Sequence, residues 1–178
     1  MSKKVFIVCS SPRKNGNSDS LAKEFSKGAI ESGNEVKIVN VRDLEVNFCT
    51  GCLACHKINK CVINDSVNSL LEEIKNSDVI VFATPIYYYC VSGQLKTFLD
   101  RLNPLYGKDN KFKEVFLLAS SEDTDIKSMD GAIKCIQGWI DCFEGVELCG
   151  IIRALGAGKI GEVSKEALLE AYEMGKSI

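Results

Sequence analysis

The sequence predicts an α/β fold in which helices cover both faces of a parallel β-sheet. Five strand-like apolar runs alternate with five helical patterns from one end of the chain to the other. Three of these runs, VFIVC, VIVFA and VFLLA, contain no polar residue, which is typical of parallel strands that are buried on both faces. The 178 residues, 46% of them hydrophobic, can bury one sizeable core, so we assign residues 1–178 to a single domain.

The apolar runs give the order of the strands. Right-handed crossovers between five such strands predict a flavodoxin-like three-layer sandwich, with a five-stranded parallel sheet of order 2-1-3-4-5. A ligand would bind at the carboxyl ends of strands 1 and 3, so the loops after strands 1, 3 and 4 are the candidate site. The predicted strands are residues 5–9, 36–41, 79–83, 115–119 and 146–152.

Apolar residues that recur every three or four positions predict the five helices between and after these strands. The predicted apolar faces, in chain order, are Leu21, Phe25 and Ala29; Val67, Leu70, Leu71 and Ile74; Leu95, Phe98, Leu99 and Leu102; Met129, Ile133, Ile136, Ile140 and Phe143; and Val163, Ala167, Ala171 and Tyr172.

Charge and hydropathy argue against polymer and membrane partners. The 22 basic and 24 acidic residues are mixed, so no basic field is available for nucleic acid. The first apolar run is too short for a signal-peptide core, and no segment reaches the ~20 apolar residues of a membrane span. We therefore expect a soluble, cytoplasmic protein whose nine cysteines are thiols, metal ligands or redox groups.

The loop after strand 1 has the composition of a phosphate-binding loop. It reads SSPRKNGNS at residues 10–18 and leads into the first helix, where free backbone N–H groups and the helix dipole favour an anion. A second interpretation is an ordinary turn in which Asn17 or Ser18 caps the helix. The candidate ligand-binding residues are Ser10, Ser11, Arg13, Gly16, Asn17 and Ser18.

This loop resembles the S-x-P-R-x-x-G-N-S phosphate loop of the NADPH-dependent FMN reductase family. The segment TPIYYYCVSGQLKTFLDR at residues 84–101 is similar to the flavin-ring loop and helix of the same family, in the same order along the chain. The resemblance implies FMN as cofactor and NAD(P)H as co-substrate. It also implies that Asp100 and Arg101 match an Asp-Arg pair, which we interpret as scaffold or subunit contact.

The same resemblance assigns the residues beside the flavin ring. The implied ring-loop residues are Thr84, Pro85, Ile86, Tyr87 and Tyr88, and Ser120 approaches from the loop after strand 4. Tyr89 is equally consistent with ordinary packing. The carboxylates of Glu122, Asp123 and Asp125 lack the spacing of a calcium loop, so we predict no metal there. Hydride transfer to a flavin needs no side-chain acid or base, and we name no catalytic residue.

Residues 156–161 read GAGKIG, a literal G-x-G-x-x-G. Only seventeen residues follow it, too few for the βαβ unit that this dinucleotide motif should open. We predict a flexible turn before the last helix.

The cysteine run CTGCLACHKINKC at residues 49–61 is the second candidate site. Cys49, Cys52, Cys55 and Cys61 can serve an iron–sulfur cluster, a structural zinc ion or no metal at all, although three cysteines at successive x2 spacing favour a cluster over zinc. The run resembles the signature of the iron-sulfur flavoproteins, a branch of the same family, which implies a 4Fe-4S cluster. The single histidine, His56, is expected to face solvent, whereas Cys9, Cys135, Cys142 and Cys149 are expected in the core.

These observations predict an FMN-dependent oxidoreductase that passes electrons from NAD(P)H to a quinone, a flavin or a redox protein. One alternative is an electron carrier that relays electrons between FMN and a 4Fe-4S cluster with little NAD(P)H activity. Another is a metal- or redox-sensing module without flavin. The family resemblance also implies a homodimer or homotetramer.

Overall fold

The computed structural model describes residues 2–178. The strands within that range are β1 (Lys4–Cys9), β2 (Glu35–Asn40), β3 (Val79–Tyr87), β4 (Cys90–Val91), β5 (Glu114–Ser120) and β6 (Glu147–Ala154). The helices are α1 (Asn17–Glu31), α2 (Cys55–Ile58), α3 (Ser66–Lys75), α4 (Gly93–Arg101), α5 (Asp130–Ile140) and α6 (Lys165–Lys176).

The long strands form a parallel sheet in the order β2-β1-β3-β5-β6, which confirms the predicted class of α/β fold. The predicted count of five strands was wrong. β3 continues past its expected end at residue 83 to Tyr87, and β4 then pairs with it antiparallel. The loop after the third strand is therefore partly a hairpin, which the five-strand pattern did not include.

Side chains of the central strands alternate between two apolar layers. Val5 and Ile7 of β1 pack in the layer that contains α1 and α6, whereas Phe6 and Val8 pack in the layer that contains α3, α4 and α5. Because residues along a strand alternate between faces, a run such as VFIVC can supply both layers at once.

The four cysteines expected in the core differ in how far they are buried. Cys9 is buried, and burial raises the pKa of its thiol to about 12. Cys135 is half-buried, whereas Cys142 and Cys149 are exposed, so their assignment to the core was wrong. Cys142 lies in the turn after α5, and Cys149 lies on β6, the last strand of the sheet order, where covering is incomplete.

Within residues 2–178, no helix has both the length and the apolar character needed to cross a membrane.

α1 and α6 touch backbone to backbone through two glycines. A Cβ atom built on Gly28 would lie 2.0 Å from the carbonyl oxygen of Tyr172, and one built on Gly175 would lie 2.0 Å from that of Phe25. Real Cβ atoms do not approach this closely, so any side chain at either position forces the two helices apart. This contact fixes the position of α1, whose N-terminus borders the loop after β1.

We therefore expect Gly28→Ala to lower the free energy of unfolding by about 1–3 kcal/mol, because the added methyl overpacks a rigid backbone contact. Urea unfolding followed by circular dichroism measures the change. Gly138→Ala is the matched control: Gly138 is an exposed helical glycine with open space around it, and alanine there should stabilise by about 0.5–1 kcal/mol. Equal stability of the two variants would contradict the close packing of α1 and α6.

Candidate functional site

The candidate ligand site lies where neighbouring parallel strands end together. Cys9 of β1 pairs with Ala83 of β3, and Pro85 of β3 pairs with Ser120 of β5. The loops after these three strands consequently start side by side at one edge of the sheet, as expected for a ligand crevice of this fold.

Three buried hydroxyl groups join the first two of these loops. The Ser92 Oγ donates to the Ser10 Oγ at 3.0 Å, and the Ser92 backbone N–H donates to the Thr84 Oγ1 at 3.1 Å. All three side chains are fully buried. The bond between Ser10 and Ser92 therefore holds the loop after β1 against the β3–β4 hairpin, and the bond to Thr84 positions Ser92 within the hairpin segment. Ser92, which also caps α4 through the N–H of Leu95, was not among the predicted site residues, although its cap position could have indicated it.

The N-cap residue of α1 supplies no side-chain cap to the first turn of the helix. That residue is Gly16, so the second interpretation, in which Asn17 or Ser18 caps the helix, is wrong. The left-handed residue of the loop is Asn15, with φ of 57°, rather than Gly16. Glycine is needed at position 16 because a Cβ there would lie 2.5 Å from the Oγ of Ser11.

Ser18 presents a hydroxyl group that suits a phosphate oxygen. Its side chain is fully buried, and its Oγ has no hydrogen-bond partner among the described residues. A buried polar atom without a partner is costly and rare, and here it lies in the first turn of a helix whose N–H groups attract anions. The loop therefore fits a phosphate group.

Asn17 and Arg13 have structural partners in the segment Gly156–Gly161, which we name the brace. The Asn17 Nδ2 donates to the carbonyls of Ala157 at 2.7 Å and Lys159 at 2.8 Å, and its Oδ1 accepts from the N–H of Gly161 at 2.9 Å. The Arg13 Nη1 donates to the carbonyl of Gly158 at 3.0 Å.

The brace also bonds to the loop after β5. The N–H of Ala157 donates to the Ser121 carbonyl at 2.7 Å, and the N–H of Gly156 donates to the Asp123 carbonyl at 3.2 Å. The expected flexible turn is thus a bonded support between two site loops.

Arg42, which follows β2, supports the first loop from the opposite side. Its Nη1 donates to the Ser11 carbonyl at 3.1 Å and pairs with the nearly buried Asp19 at 2.9 Å. Burial raises the pKa of Asp19, and Arg42 only partly opposes that effect. Arg42 was not among the predicted site residues. Its position directly after a strand, at the carboxyl edge of the sheet, could have indicated it.

The β3–β4 hairpin, which we name the ring hairpin, turns at Tyr88 and Tyr89. Both residues are left-handed, with φ of 48° and 59°, where glycine or asparagine is usual. Such a backbone costs of order 1–3 kcal/mol per residue and is characteristic of functional loops. The ring of Tyr88 is fully exposed, and Tyr87 is also exposed.

A groove separates the ring hairpin from the loop after β5. Ile86, Tyr88 and Tyr89 form one wall, and residues 121–123 form the other. The Tyr89 hydroxyl and the Asp123 carboxylate bridge it at 3.3 Å. Pro85 and Ser120 are buried beneath this region at the paired ends of β3 and β5. The groove is open, apolar on one wall and polar on the other, as suits a flat ring with one polar edge.

The acidic side chains of the third loop make its turns. The Oδ1 of Asp123 accepts from the N–H of Asp125, and the Oδ1 of Asp125 accepts from the N–H of Lys127, both at 2.9 Å. These bonds account for the acidic pattern without a ligand.

The four cysteines of the 49–61 run line one narrow cleft, together with Arg101, Asn103 and Pro104. Cys55, at the start of the short α2, is buried, Cys61 is half-buried, and Cys49 and Cys52 are exposed. His56 is exposed, as expected, and stacks on Tyr106 with ring centroids 5.8 Å apart. Among residues 2–178, no three Cys, His, Asp or Glu side chains meet closely enough to hold one metal ion.

The sulfur atoms of this cleft differ in their electrostatic surroundings. The N–H of Ala54 and then the hydroxyl of Thr50 hold the pKa of the Cys52 thiol below its usual value. Burial raises the pKa of the Cys55 thiol, and the neighbouring Cys61 and Cys52 add to the rise through charge repulsion. The Asn103 Nδ2 donates to the Cys55 Sγ at 3.4 Å. A positive group in the cleft would relieve the repulsion between these thiolates.

A fully buried ion pair closes the base of the cysteine loop. Arg101, the last residue of α4, binds both carboxylate oxygens of Asp65 and also donates to the carbonyls of Asn47 at 2.9 Å and Ile63 at 3.2 Å. Asp65 in turn accepts from the N–H of Asn47 at 2.9 Å and caps α3. Although burial works in the opposite direction, Arg101 and these N–H groups lower the pKa of Asp65. Arg101 is thus a scaffold residue. The sequence had allowed two interpretations, scaffold or subunit contact, and this contact agrees with the first.

Residues 3–126 match the sequence model of a family described as NADPH-dependent FMN reductase. An iron-sulfur flavoprotein of Archaeoglobus fulgidus is 32% identical over 182 residues, which cover 98% of this chain and 78% of that protein. A second iron-sulfur flavoprotein, from Methanocaldococcus jannaschii, is 38% identical over 102 residues, which cover 57% of this chain and 53% of that protein. That second alignment therefore spans about half of its relative.

The fold is similar to that of an NAD(P)H:quinone oxidoreductase from Methanothermobacter marburgensis. The two structures superpose with a TM-score of 0.77 at 16% identity, over 99% of this chain and 96% of the other.

Replacing Arg101 by methionine should lower the free energy of unfolding by about 3–5 kcal/mol, because it leaves the Asp65 carboxylate buried without its partner. The matched control lies on the same helix: Lys96 pairs with Asp100 at 2.6 Å on the exposed surface, so Lys96→Met should cost less than about 1 kcal/mol. Urea unfolding measures both changes. If Arg101→Met were no less stable than Lys96→Met, the ion pair would not be what holds the cysteine loop.

Proposed function

Because the chain belongs to the NADPH-dependent FMN reductase family, we propose that it is an FMN-dependent oxidoreductase that takes electrons from NAD(P)H. The observation that carries this proposal is the first turn of α1, where the N-cap residue supplies no side-chain cap and the buried Ser18 hydroxyl lacks a partner among the described residues. The proposed acceptor is a quinone, a flavin or a redox protein. The fold shared with a quinone oxidoreductase supports a quinone among these classes.

The residues proposed to hold FMN fall into a contacting set and a supporting set. The first-turn N–H groups of α1 and the Ser18 hydroxyl would bind the phosphate. Ile86, Tyr87 and Tyr88 of the ring hairpin would lie beside the ring. The supporting set, whose side chains bond to protein groups, is Ser10, Ser11, Arg13, Asn17 and Thr84.

The chemistry that bound FMN supplies is the acceptance of hydride from a nicotinamide and the delivery of electrons to an acceptor. The chain orients the reactants through the ring hairpin and the groove beside it. The exposed Tyr88 ring and the open groove leave one side of the site accessible to a second planar molecule. No side chain needs to transfer a proton at the hydride step.

We propose further that Cys49, Cys52, Cys55 and Cys61 hold a 4Fe-4S cluster. Four cysteines that line one cleft, with a backbone N–H that stabilises the Cys52 thiolate and an amide that donates to Cys55, suit a group held by thiolates. Three cysteines at successive x2 spacing are the arrangement that wraps an iron–sulfur cluster, whereas structural zinc usually takes two separated pairs. This favours a cluster over zinc, and the two iron-sulfur flavoprotein relatives support it.

The cysteine cleft also supports a second candidate function. A chain that holds both FMN and a cluster can act as an electron carrier between protein partners, with little turnover of NAD(P)H. The rates of NADH and NADPH oxidation with a quinone, compared with the rate of electron exchange with a ferredoxin-like donor, distinguish the two functions.

Assembly into a homodimer or homotetramer is also proposed. Large apolar side chains are exposed on and near the cysteine loop, and a second copy of the chain is the proposed cover for them. They are Phe48, Leu53, Ile58, Val62 and Tyr106.

Ser18→Ala should weaken FMN binding roughly 10- to 100-fold, because it removes a hydrogen bond to a charged group worth about 1.5–3 kcal/mol. Titration of the apoprotein with FMN, followed by flavin fluorescence, measures the dissociation constant. Ser20→Ala is the control, since the Ser20 hydroxyl bonds to the Gly16 carbonyl within the same helix.

If Ser18→Ala bound FMN with unchanged affinity, Ser18 would not be a phosphate-binding residue. If the wild-type protein carried no flavin after purification and refused added FMN, both proposed functions would fail. If the protein bound flavin but oxidised neither NADH nor NADPH, only the electron-carrier function would remain.

Cys55→Ser should lose cluster iron while it keeps FMN, because the serine oxygen is a poorer ligand for iron and the phosphate loop is untouched. The measurement is iron and flavin per chain after anaerobic purification. Cys142→Ser, which changes an exposed cysteine outside the cleft, should keep both. Wild-type protein with zinc, or with no metal, would contradict the cluster.

A further inference from the structure

The ring hairpin rests directly on the first turns of α5. A Cβ built on Gly131 of α5 would lie 2.3 Å from the carbonyl oxygen of Tyr89 and 3.9 Å from the Cα of Cys90. Glycine at position 131 is therefore what lets the helix backbone reach the hairpin. The contact places Cys90 of β4 against the helix face that carries Gly131.

Cys135 lies on the same face of α5, one turn after Gly131. The Cys90 Sγ lies 3.9 Å from the carbonyl oxygen of Gly131, which is the oxygen that accepts the helical hydrogen bond from the N–H of Cys135. β4 packs against α5 beyond this one glycine, so the backbones that carry Cys90 and Cys135 belong to contacting elements. A pair of thiols so placed meets the first requirement for a disulfide, which is that the two backbones already stand close together.

The surroundings of the pair allow it to react. Both cysteines are half-buried free thiols, so small oxidants reach them, and neither belongs to the cysteine cleft. The hydrogen bond to Asp100 and, less strongly, charge on Cys135 and Cys90 raise the pKa of Lys96 on α4. An ammonium group beside a thiol stabilises the thiolate, which is the reactive form. Burial raises the pKa of the Cys135 thiol, so Cys135 is suited to the second step rather than the first.

We propose that Cys90 and Cys135 form a redox-active dithiol that hydrogen peroxide converts to a disulfide between the ring hairpin and α5. The Cys90 thiol loses its proton, its thiolate attacks one peroxide oxygen and the O–O bond breaks. The departing hydroxide takes up that proton, so a sulfenic acid and one water result. The Cys135 thiol then attacks the sulfenic sulfur, the S–S bond forms, and a second water leaves. Two thiols thus give up two electrons and two protons to one peroxide, which becomes two waters.

The disulfide would act on the part of the site that has a strained backbone. Tyr88 and Tyr89 turn the hairpin in left-handed conformations, and Cys90 follows them directly. In the dithiol form the hairpin is held to α5 by packing and weak contacts. In the disulfide form it is fixed covalently beside the open groove. This inference does not depend on the identity of the ligand in that groove.

The test uses the full chain, freed of reductant, treated with a small excess of hydrogen peroxide and then blocked with N-ethylmaleimide. Peptide mapping without reduction should find Cys90 joined to Cys135, and treatment with dithiothreitol should release the two peptides. The cross-link should be absent from Cys90→Ser and Cys135→Ser. It should persist in Cys142→Ser, the matched control, because Cys142 is an exposed cysteine in the turn after the same helix.

A second readout follows the hairpin itself. Chymotrypsin cleavage after the fully exposed Tyr88 should slow in oxidised wild-type protein but not in peroxide-treated Cys135→Ser. Recovery of Cys90 and Cys135 on separate peptides after oxidation would overturn the proposal. So would a cross-link from either residue to another cysteine or to a second chain. If a serine variant does not fold, the peptide map of the oxidised wild-type protein alone decides the outcome.

Discussion

The candidate flavin site depends on the parallel arrangement of β1, β3 and β5, because their carboxyl ends meet at one edge of the sheet. In-register pairing of β1 with β3 and of β3 with β5 places the three following loops side by side before any ligand is present. Two sets of bonds then join the loops. The hydroxyls of Ser10, Thr84 and Ser92 connect the first loop to the ring hairpin, and the brace at Gly156–Gly161 connects the first loop to the third. The cavity is thus built from loops that hold one another, each starting from a fixed strand end.

The cysteine loop is organised by a different kind of interaction. It contains little regular structure, so a backbone ladder cannot set its shape, and the buried Arg101–Asp65 pair takes that role. A buried ion pair adds little net stability, but it accepts only one arrangement of its hydrogen-bonding partners. Here the carbonyls of Asn47 and Ile63 are among those partners, so both ends of the loop meet at one guanidinium. The cleft beside Arg101 is therefore held at its base while its tip, with Cys49 and Cys52, remains exposed.

Much of the fold follows from the sequence, because strand burial and helix periodicity are local patterns with one tertiary solution. The all-apolar runs became the central strands, and their order put the loops after the first, third and fourth long strands at one edge of the sheet, as predicted. The extension of β3 and its pairing with β4 did not show in the apolar pattern. Local patterns also do not show which groups a side chain meets across the fold. Asn17 suggested a ligand contact or a cap, yet its amide is used by a segment 140 to 144 residues further on. Arg42 belongs to no local motif and becomes important only through Ser11 and Asp19.

The charges around the first loop indicate how a phosphate would be held there. Arg42 is the cation tied to the inner side of the loop, and its charge is already paired with Asp19 at 2.9 Å. Arg13 bonds outward to Gly158. A phosphate at the start of α1 would consequently meet the first-turn N–H groups and the Ser18 hydroxyl, while Lys14 is an exposed cation in the same loop. Dipoles fixed by the fold need no reorganisation when an anion arrives, and they depend on the position of α1. That position is set toward the far end of the helix by the contacts of Gly28 with α6 and of Gly175 with α1, so packing remote from the ligand determines the geometry of the anchor.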